Sequence, residues 1–206
     1  MYEQELKLTA ANAEVLIAAL NSDTIQRYSL APAPQPQRFL AKYYDTKNRT
    51  LENDQCSLRA RREGRKFRAA FKLPGHITDG MSQRQEYECD IDGWLKNAGK
   101  LPDGDLKSLV LNHIEETEKL FAMVTVDMQR QIVNLEVNGT KIEMVADQGT
   151  ITGNGREVEI CEIELELKSG EINIVKEIGD ELKAKYELNP SRLTKHQIGL
   201  ELCNSR

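Results

Sequence analysis

The sequence predicts an α+β fold in which an antiparallel β-sheet closes on itself into a barrel and carries flanking helices. Three features predict it. Patterns typical of strands outnumber those of helices, short turns join most of the strands, and neither a linker nor an internal repeat divides the 206 residues. We therefore expect a single domain over residues 1–206.

In the first half of the chain, proline and glycine mark where strands stop. Thr9 or Asn12 can cap a helix over residues 13–21. The prolines within residues 31–36 predict a loop, and Gly64 predicts a hairpin turn. Alternating or β-prone runs predict strands over residues 2–8, 38–46, 55–62, 66–73 and 82–91.

In the second half, apolar residues at helical spacing predict helices over residues 105–120 and 174–186, the latter terminated by Pro190. The Asn-Gly pair at 138–139 is a strong hairpin signal, and residues 153–155 predict a turn. A short helix or turn is expected to close the chain. The predicted strands cover residues 121–130, 131–137, 141–146 and 157–168.

The composition excludes several classes of protein. With 28 basic and 33 acidic residues the net charge is −5, whereas a dedicated nucleic-acid binder would carry a basic excess. The four cysteines are widely spaced, without histidine at zinc-site spacing, so we expect reduced thiols. Neither a signal peptide nor a membrane-length apolar run is present, so we expect a cytoplasmic protein with no membrane partner.

Charged residues recur at every second position of several predicted strands and therefore share one face of each strand. Glu162, Glu164 and Glu166 form an acidic series, and Arg59 and Arg61 a basic one. Three aligned carboxylates repel one another unless arginines or bound metals lie between them. Charged strand faces usually point toward solvent. If they instead point into a closed barrel, they form a cavity suited to a polyanion with divalent cations. Periodicity alone does not distinguish the two arrangements.

Short charged motifs also follow one another in order along the chain. They are Glu3-x-Glu5-x-Lys7, residues 43–46, Leu58-Arg59-x-Arg61, Lys72, Arg84-x-Glu86, Arg130, Glu143, Asp147, Glu162-x-Glu164-x-Glu166 and Lys195. Each motif is weak alone, but the ordered set over residues 3–195 resembles the CYTH domain of the triphosphate tunnel metalloenzymes. Ala70 and Leu200 depart from the threonine and tyrosine that are common in that family.

The resemblance implies a tunnel of about eight antiparallel strands with its charged faces inward and its apolar faces against helices. Bacterial inorganic triphosphatases are the members it resembles most. It therefore implies hydrolysis of inorganic triphosphate to pyrophosphate and phosphate, with Mg²⁺ or Mn²⁺ as cofactor. Three alternatives stay open: a thiamine triphosphatase, an adenylate cyclase of the same fold, and a non-catalytic polyphosphate-binding module.

The same resemblance, together with phosphate chemistry, assigns the site residues. A triphosphate carries about four to five negative charges, which arginines and lysines can neutralise, while carboxylates hold the metal. The expected substrate-binding residues are Lys7, Arg59, Arg61, Lys72, Arg84, Arg130 and Lys195. The expected metal ligands are Glu3, Glu5, Asp147, Glu162, Glu164 and Glu166. The residues expected in the chemical step are Glu5, Lys7, Lys72 and Glu164. Those expected to orient the arginines are Glu86, Glu88 and Glu143.

Overall fold

A computed structural model describes residues 2–205 and shows a closed antiparallel β-barrel with flanking helices. The strands are β1 (Tyr2–Ala10), β2 (Gln35–Asp45), β3 (Ser57–Glu63), β4 (Lys66–Lys72), β5 (His76–Thr78), β6 (Met81–Ile91), β7 (Phe121–Val137), β8 (Thr140–Gly153), β9 (Arg156–Ser169) and β10 (Leu188–Pro190). Eight of them close the barrel in the order β1-β9-β8-β7-β2-β3-β4-β6, and β6 pairs back with β1. The short strands β5 and β10 extend β6 and β1 outside it. The predicted fold class is therefore confirmed.

The helices lie between these strands and at the end of the chain. They are α1 (Ala13–Leu20), α2 (Asp23–Tyr28), α3 (Thr50–Asn53), α4 (Asp105–Leu111), α5 (Ile172–Lys185) and α6 (Lys195–Asn204). The Asn12 side chain accepts a hydrogen bond from the Val15 backbone N–H at 2.9 Å, as predicted for the cap of α1. No helix within the described residues is long and apolar enough to cross a membrane.

The apolar faces of the strands point out of the barrel and pack against helices. Leu8 and Leu165 contribute to a core beneath α1 and α5, and Phe71 belongs to a second core beneath α4. Each of these three side chains is fully buried, which stabilises the fold by about 1.5–3 kcal/mol per side chain. Because side chains alternate along a strand, this outward packing turns the charged positions toward the barrel interior.

Helix α6 fills one end of the barrel interior. Phe39 and Val124 lie on inward faces and pack with Ile198 and neighbouring apolar residues of α6. The approach is close: a Cβ at Gly199 would lie 2.1 Å from a Val124 methyl group, and one at Gly153 would lie 2.4 Å from the Gly199 carbonyl oxygen. Glycine is required at both positions by this packing. The barrel is thus closed by apolar contacts at one end, and its charged interior lies beyond them.

The predicted turns are confirmed at three places, because Gly64, Gly139 and Gly155 all have positive φ. Four other predictions were wrong. Residues 121–137 form one strand, β7, since its pairing with β8 continues without interruption. Helix α4 ends at Leu111, rather than reaching residue 120. Pro190 lies in β10, five residues beyond the end of α5, and β2 begins inside the predicted proline loop.

Candidate active site

Strand register places opposite charges side by side within the barrel. Lys7 of β1 lies opposite Glu164 of β9 and Glu3 lies opposite Arg84 of β6, whereas Glu5 lies opposite a second carboxylate, Glu166. Neighbouring residues on one face of an antiparallel pair are close enough for their side chains to interact. The alternating acids and bases of the sequence therefore become rows of ion pairs around the inner wall.

These rows line a cavity of about 630 Å³, which we call the tunnel. Of the described residues, nine basic and eight acidic side chains line it, so its charge is nearly balanced when it holds no ligand. All seven predicted substrate-binding residues lie in its wall. Of the predicted metal ligands, Glu3, Glu5, Glu164 and Glu166 also line it, whereas Asp147 and Glu162 lie behind it and are almost completely buried.

Lys7 is held between two carboxylates. Its Nζ atom lies 2.9 Å from Glu5 Oε2 and 2.5 Å from Glu164 Oε1. Burial opposes protonation, but the charges of Glu164 and Glu5 outweigh it, so the pKa of Lys7 lies above its ordinary value. Lys7 is therefore a permanently charged, almost fully buried ammonium group in the tunnel wall.

A second cluster surrounds Glu3. Lys72 Nζ and Arg84 Nε donate to Glu3 Oε2 at 3.1 and 3.0 Å, and Lys72 also lies 2.9 Å from Glu86. Burial disfavours the Glu3 carboxylate, but Lys72 and Arg84 outweigh it, so the pKa of Glu3 is far below its ordinary value. Burial instead raises the pKa of Glu86. Glu3 is therefore ionised under all ordinary conditions.

The first residue of α6 reaches into the tunnel. Lys195 Nζ donates to Glu162 and to Glu164, the latter at 2.8 Å, and lies 3.0 Å from Asp147. The capping box of Thr194 and Gln197 fixes the start of this helix and with it the position of Lys195. The helix that closes one end of the barrel thereby also supplies a cation to the site.

Arg59 and Arg61 differ in how the protein satisfies them. Arg59 Nη2 donates to Glu86 and Glu88, each at 3.4 Å. The buried Nε atom of Arg61 lies 2.6 Å from Glu63 Oε1, an ion pair without hydrogen-bond geometry. Burial and the neighbouring charge of Arg59 lower the pKa of Arg61 to about 10. The positive charges of Arg59 and Arg130 therefore favour an additional anion beside Arg61.

The carboxylates fit a hard divalent cation. Glu5 Oε1 and Glu162 Oε1 are buried oxygen atoms without a hydrogen-bond partner, and carboxylate oxygens are the ligands that Mg²⁺ and Mn²⁺ prefer. Within residues 2–205, no three acidic, histidine or cysteine side chains are already grouped around one point. Lysines and arginines lie between the glutamates instead, so a cation would have to displace them or share the site with phosphate oxygens.

Sequence reasoning missed several residues of the wall. Gln37 and Glu63 line the tunnel, and Gln37 Nε2 donates to Glu63 Oε2 at 2.9 Å. Lys168 also lines it and contacts Glu143 at 3.2 Å, so the ion pair of Glu143 is with a lysine rather than with a predicted arginine. The signal was available for Lys168, because it continues the alternation of Glu162, Glu164 and Glu166.

Comparisons with known proteins agree with this architecture. A family model described as the CYTH domain matches residues 1–198. The chain is 29% identical over 164 residues to an inorganic triphosphatase of Haemophilus influenzae, a match that covers 76% of this chain and 44% of that protein. The chain thus spans less than half the length of this curated relative.

Solved structures show the same fold at low sequence identity. The Hippeastrum protein HpAC1, described as an adenylyl cyclase candidate with a dominant triphosphatase activity, has a TM-score of 0.72 at 17% identity, covering 97% of this chain and 95% of that one. The PH1819 protein of Pyrococcus horikoshii has a TM-score of 0.55 at 18% identity, covering 98% and 99%. The barrel and its helices are therefore shared across distant sequences.

Proposed function

Because this chain belongs to the CYTH domain family, we propose that it catalyses the metal-dependent hydrolysis of inorganic triphosphate to pyrophosphate and orthophosphate. One observation carries the proposal: among the described residues, nine lysines and arginines from six strands and from α6 line a single cavity together with carboxylates. A curated relative, 29% identical, is an inorganic triphosphatase, which supports this choice of substrate.

The tunnel suits a small polyanion with several negative charges. Arg59, Arg61 and Arg130 can each offer planar pairs of N–H donors to phosphate oxygens, and Lys7 and Lys195 add compact charges. Because these cations are already held by hydrogen bonds or ion pairs with carboxylates, the wall is organised before the substrate enters. Little reorganisation is then needed when charge develops during phosphoryl transfer.

Hydrolysis of a terminal phosphoryl group depends mainly on charge neutralisation and on an aligned water molecule. The arginines and lysines would hold the phosphate chain and neutralise its oxygens. Glu5, whose Oε1 is buried in the wall without a hydrogen-bond partner, is positioned to orient water or to accept its proton. Lys7, Lys72 and Glu164 would act beside it in the same step.

Divalent metal would be held by Glu3, Glu5, Glu164 and Glu166 in the wall, with Asp147 and Glu162 behind them. Bound Mg²⁺ or Mn²⁺ would supply Lewis-acid neutralisation of phosphate oxygens. The carboxylates must stay ionised for this. Glu164 meets that condition, because Lys195 and Lys7 outweigh its burial and hold its pKa well below the ordinary value.

Phosphate release measured on three substrates tests the proposal. Purified protein is given inorganic triphosphate, ATP and thiamine triphosphate separately, each with Mg²⁺, with Mn²⁺ or with a chelator. We expect release from inorganic triphosphate that requires a metal and far exceeds release from the two organic triphosphates. Faster turnover of ATP or thiamine triphosphate, or tight triphosphate binding without turnover, would contradict it and favour the other activities of this fold.

A further inference from the structure

A second cavity, of about 520 Å³, lies beside the start of α6 and borders the tunnel. We call it the α6 chamber. Lys72, Arg84 and Thr194 line both cavities. Lys72 and Arg84 both donate to Glu3, at 3.1 and 3.0 Å, so this ion-pair cluster lies between the two spaces. The hydrolysis proposed above makes no use of the chamber.

The α6 chamber is electropositive. Of the described residues that line it, Lys72, Arg84 and Arg192 are cationic and Glu52 alone is acidic. Glu52 is already paired with Arg49, whereas Arg192 is exposed and makes no ion pair within residues 2–205. The tunnel, by contrast, contains nearly as many carboxylates as cations. An anion in the chamber would therefore meet the unpaired charge of Arg192 together with Lys72 and Arg84, whose carboxylate partners do not line the chamber.

His196 responds to the same electrostatic field. Its ring lines the chamber and stacks on Tyr43 with the two centroids 4.8 Å apart. Burial lowers the pKa of His196, and the charges of Arg84 and Arg49 lower it further, to about 4. Burial disfavours charge of either sign, but the contribution of Arg84 and Arg49 reflects positive charge that favours an anion nearby. The N-terminus of the ten-residue helix α6, at the chamber wall, adds partial positive charge of the same sign.

Neutral hydrogen-bonding groups complete the chamber wall. Ser57, Thr78 and Ser82 contribute hydroxyl-bearing side chains. The Gln197 side-chain oxygen accepts the Thr194 backbone N–H at 2.8 Å, which leaves the Gln197 amide nitrogen as a donor. Phosphate oxygens accept hydrogen bonds from all of these groups. Because one acidic residue is too few to hold a divalent metal, the chamber suits a small, metal-free phosphate anion.

We propose that the α6 chamber is a second anion site, which receives orthophosphate and holds it apart from the pyrophosphate in the tunnel. The identity of the anion as a reaction product rests on the proposed function, whereas the presence of an anion site does not. Lys72 and Arg84 face both cavities, so a phosphate that leaves the tunnel keeps contact with cations until Arg192 meets it at the chamber wall.

Calorimetric titration with sodium orthophosphate tests the chamber without requiring turnover. Metal-free protein is first saturated with pyrophosphate, which occupies the tunnel, and orthophosphate is then added. We expect orthophosphate to bind, and Arg192→Gln to weaken that binding about three- to fivefold, the effect of one exposed ion pair, with a larger loss in Arg192→Glu. Arg27→Gln, which removes the same charge from an exposed position on α2 outside both cavities, is the matched control and should bind as the wild type does.

Two results would overturn the proposal: pyrophosphate abolishes orthophosphate binding, or Arg192→Glu binds orthophosphate as tightly as Arg27→Gln does. Triphosphate hydrolysis measured on the same preparations separates this proposal from the proposed function. Absent hydrolysis with two-site binding intact would contradict the function alone. Normal hydrolysis with a single binding site would contradict the chamber alone.

Discussion

Arg130 binds Asp147 through two parallel hydrogen bonds, from Nε to Oδ1 at 2.7 Å and from Nη2 to Oδ2 at 2.6 Å. Lys195 lies 3.0 Å from the same Oδ2, and the Asp147 side chain is fully buried. Burial disfavours the carboxylate, but Lys195 and Arg130 outweigh it and lower the pKa of Asp147. These contacts favour a role in positioning two cations, while the metal-ligand role predicted from the sequence stays a prediction.

Asp147→Asn distinguishes these two roles. If Asp147 positions Arg130 and Lys195, the variant raises KM for triphosphate about tenfold, because a charge-assisted bidentate pair is lost. The metal concentration that gives half-maximal activity should stay the same. Steady-state kinetics over a metal titration provide both values. An unchanged KM with a shifted metal requirement would instead identify Asp147 as a ligand.

Glu5→Gln and Arg59→Ala should impair triphosphate hydrolysis through different kinetic parameters. Glu5→Gln keeps the shape of the side chain but removes the charge that a metal or a water molecule needs, so we expect kcat to fall about a hundredfold or more. Arg59→Ala removes a phosphate contact, so we expect a higher KM with a smaller change in kcat. Wild-type kcat in Glu5→Gln would refute its assignment to the chemical step.

Phe39 supports two of the arginines. The guanidinium carbons of Arg130 and Arg61 lie 4.9 and 5.5 Å from the centroid of its buried ring. We expect Phe39→Leu to raise KM for triphosphate about five- to tenfold, because two desolvated cation–π contacts are lost. Phe71→Leu is the control, since Phe71 is equally buried but belongs to the outer core beneath α4. Equal KM values in the two variants would show that the contacts of the Phe39 ring with the arginines do not contribute to triphosphate binding.

His196→Phe should weaken the dependence of stability on pH. The pKa of His196 is lowered from 6.5 to about 4 in the folded protein, chiefly by burial and then by Arg84 and Arg49. Between these pH values the unfolded chain binds a proton that the folded chain does not, so the stability that this group contributes at pH 7 is lost as the pH falls.

Urea unfolding at pH 7 and pH 5 measures this effect. The wild type should lose about 2 kcal/mol more than His196→Phe over that interval. Phenylalanine keeps a ring against Tyr43 but cannot titrate, so it isolates the protonation. Equal losses in both proteins would show that His196 titrates normally.

Sequence patterns predicted most of the barrel because its strands are bounded by strong local signals. The Asn-Gly turn before β8 and the alternation in β9 are examples. Strand β7 was predicted as two strands that meet at residues 130 and 131, whereas pairing with β8 and β2 holds these residues in one continuous strand. The Asp79-Gly80 turn between β5 and β6 carried a usable signal that was missed.

The alternation of charged and apolar residues could not show that the charged side chains point into the barrel, because an alternating pattern fits either orientation of the strand. The ordered motifs supplied that direction, and the structure explains it: the opposite faces carry Leu8, Leu165 and Phe71, which the helices cover. Local sequence patterns also could not predict contacts between residues that are far apart in the chain. Phe39 beneath Arg61 and Arg130 depends on the register of three strands, which the sequence does not state.

Binding of triphosphate and metal together inside the barrel underlies the proposed hydrolysis, and a crystal structure with both present would show it. Crystals grown with Mn²⁺ and inorganic triphosphate, under conditions that slow turnover, would be measured at the manganese absorption edge. We expect an anomalous manganese peak beside Glu3 or Glu5 inside the barrel, with phosphate density against Arg59, Arg61 and Arg130. Phosphate density confined to the outer surface, with no manganese peak inside the barrel, would contradict it.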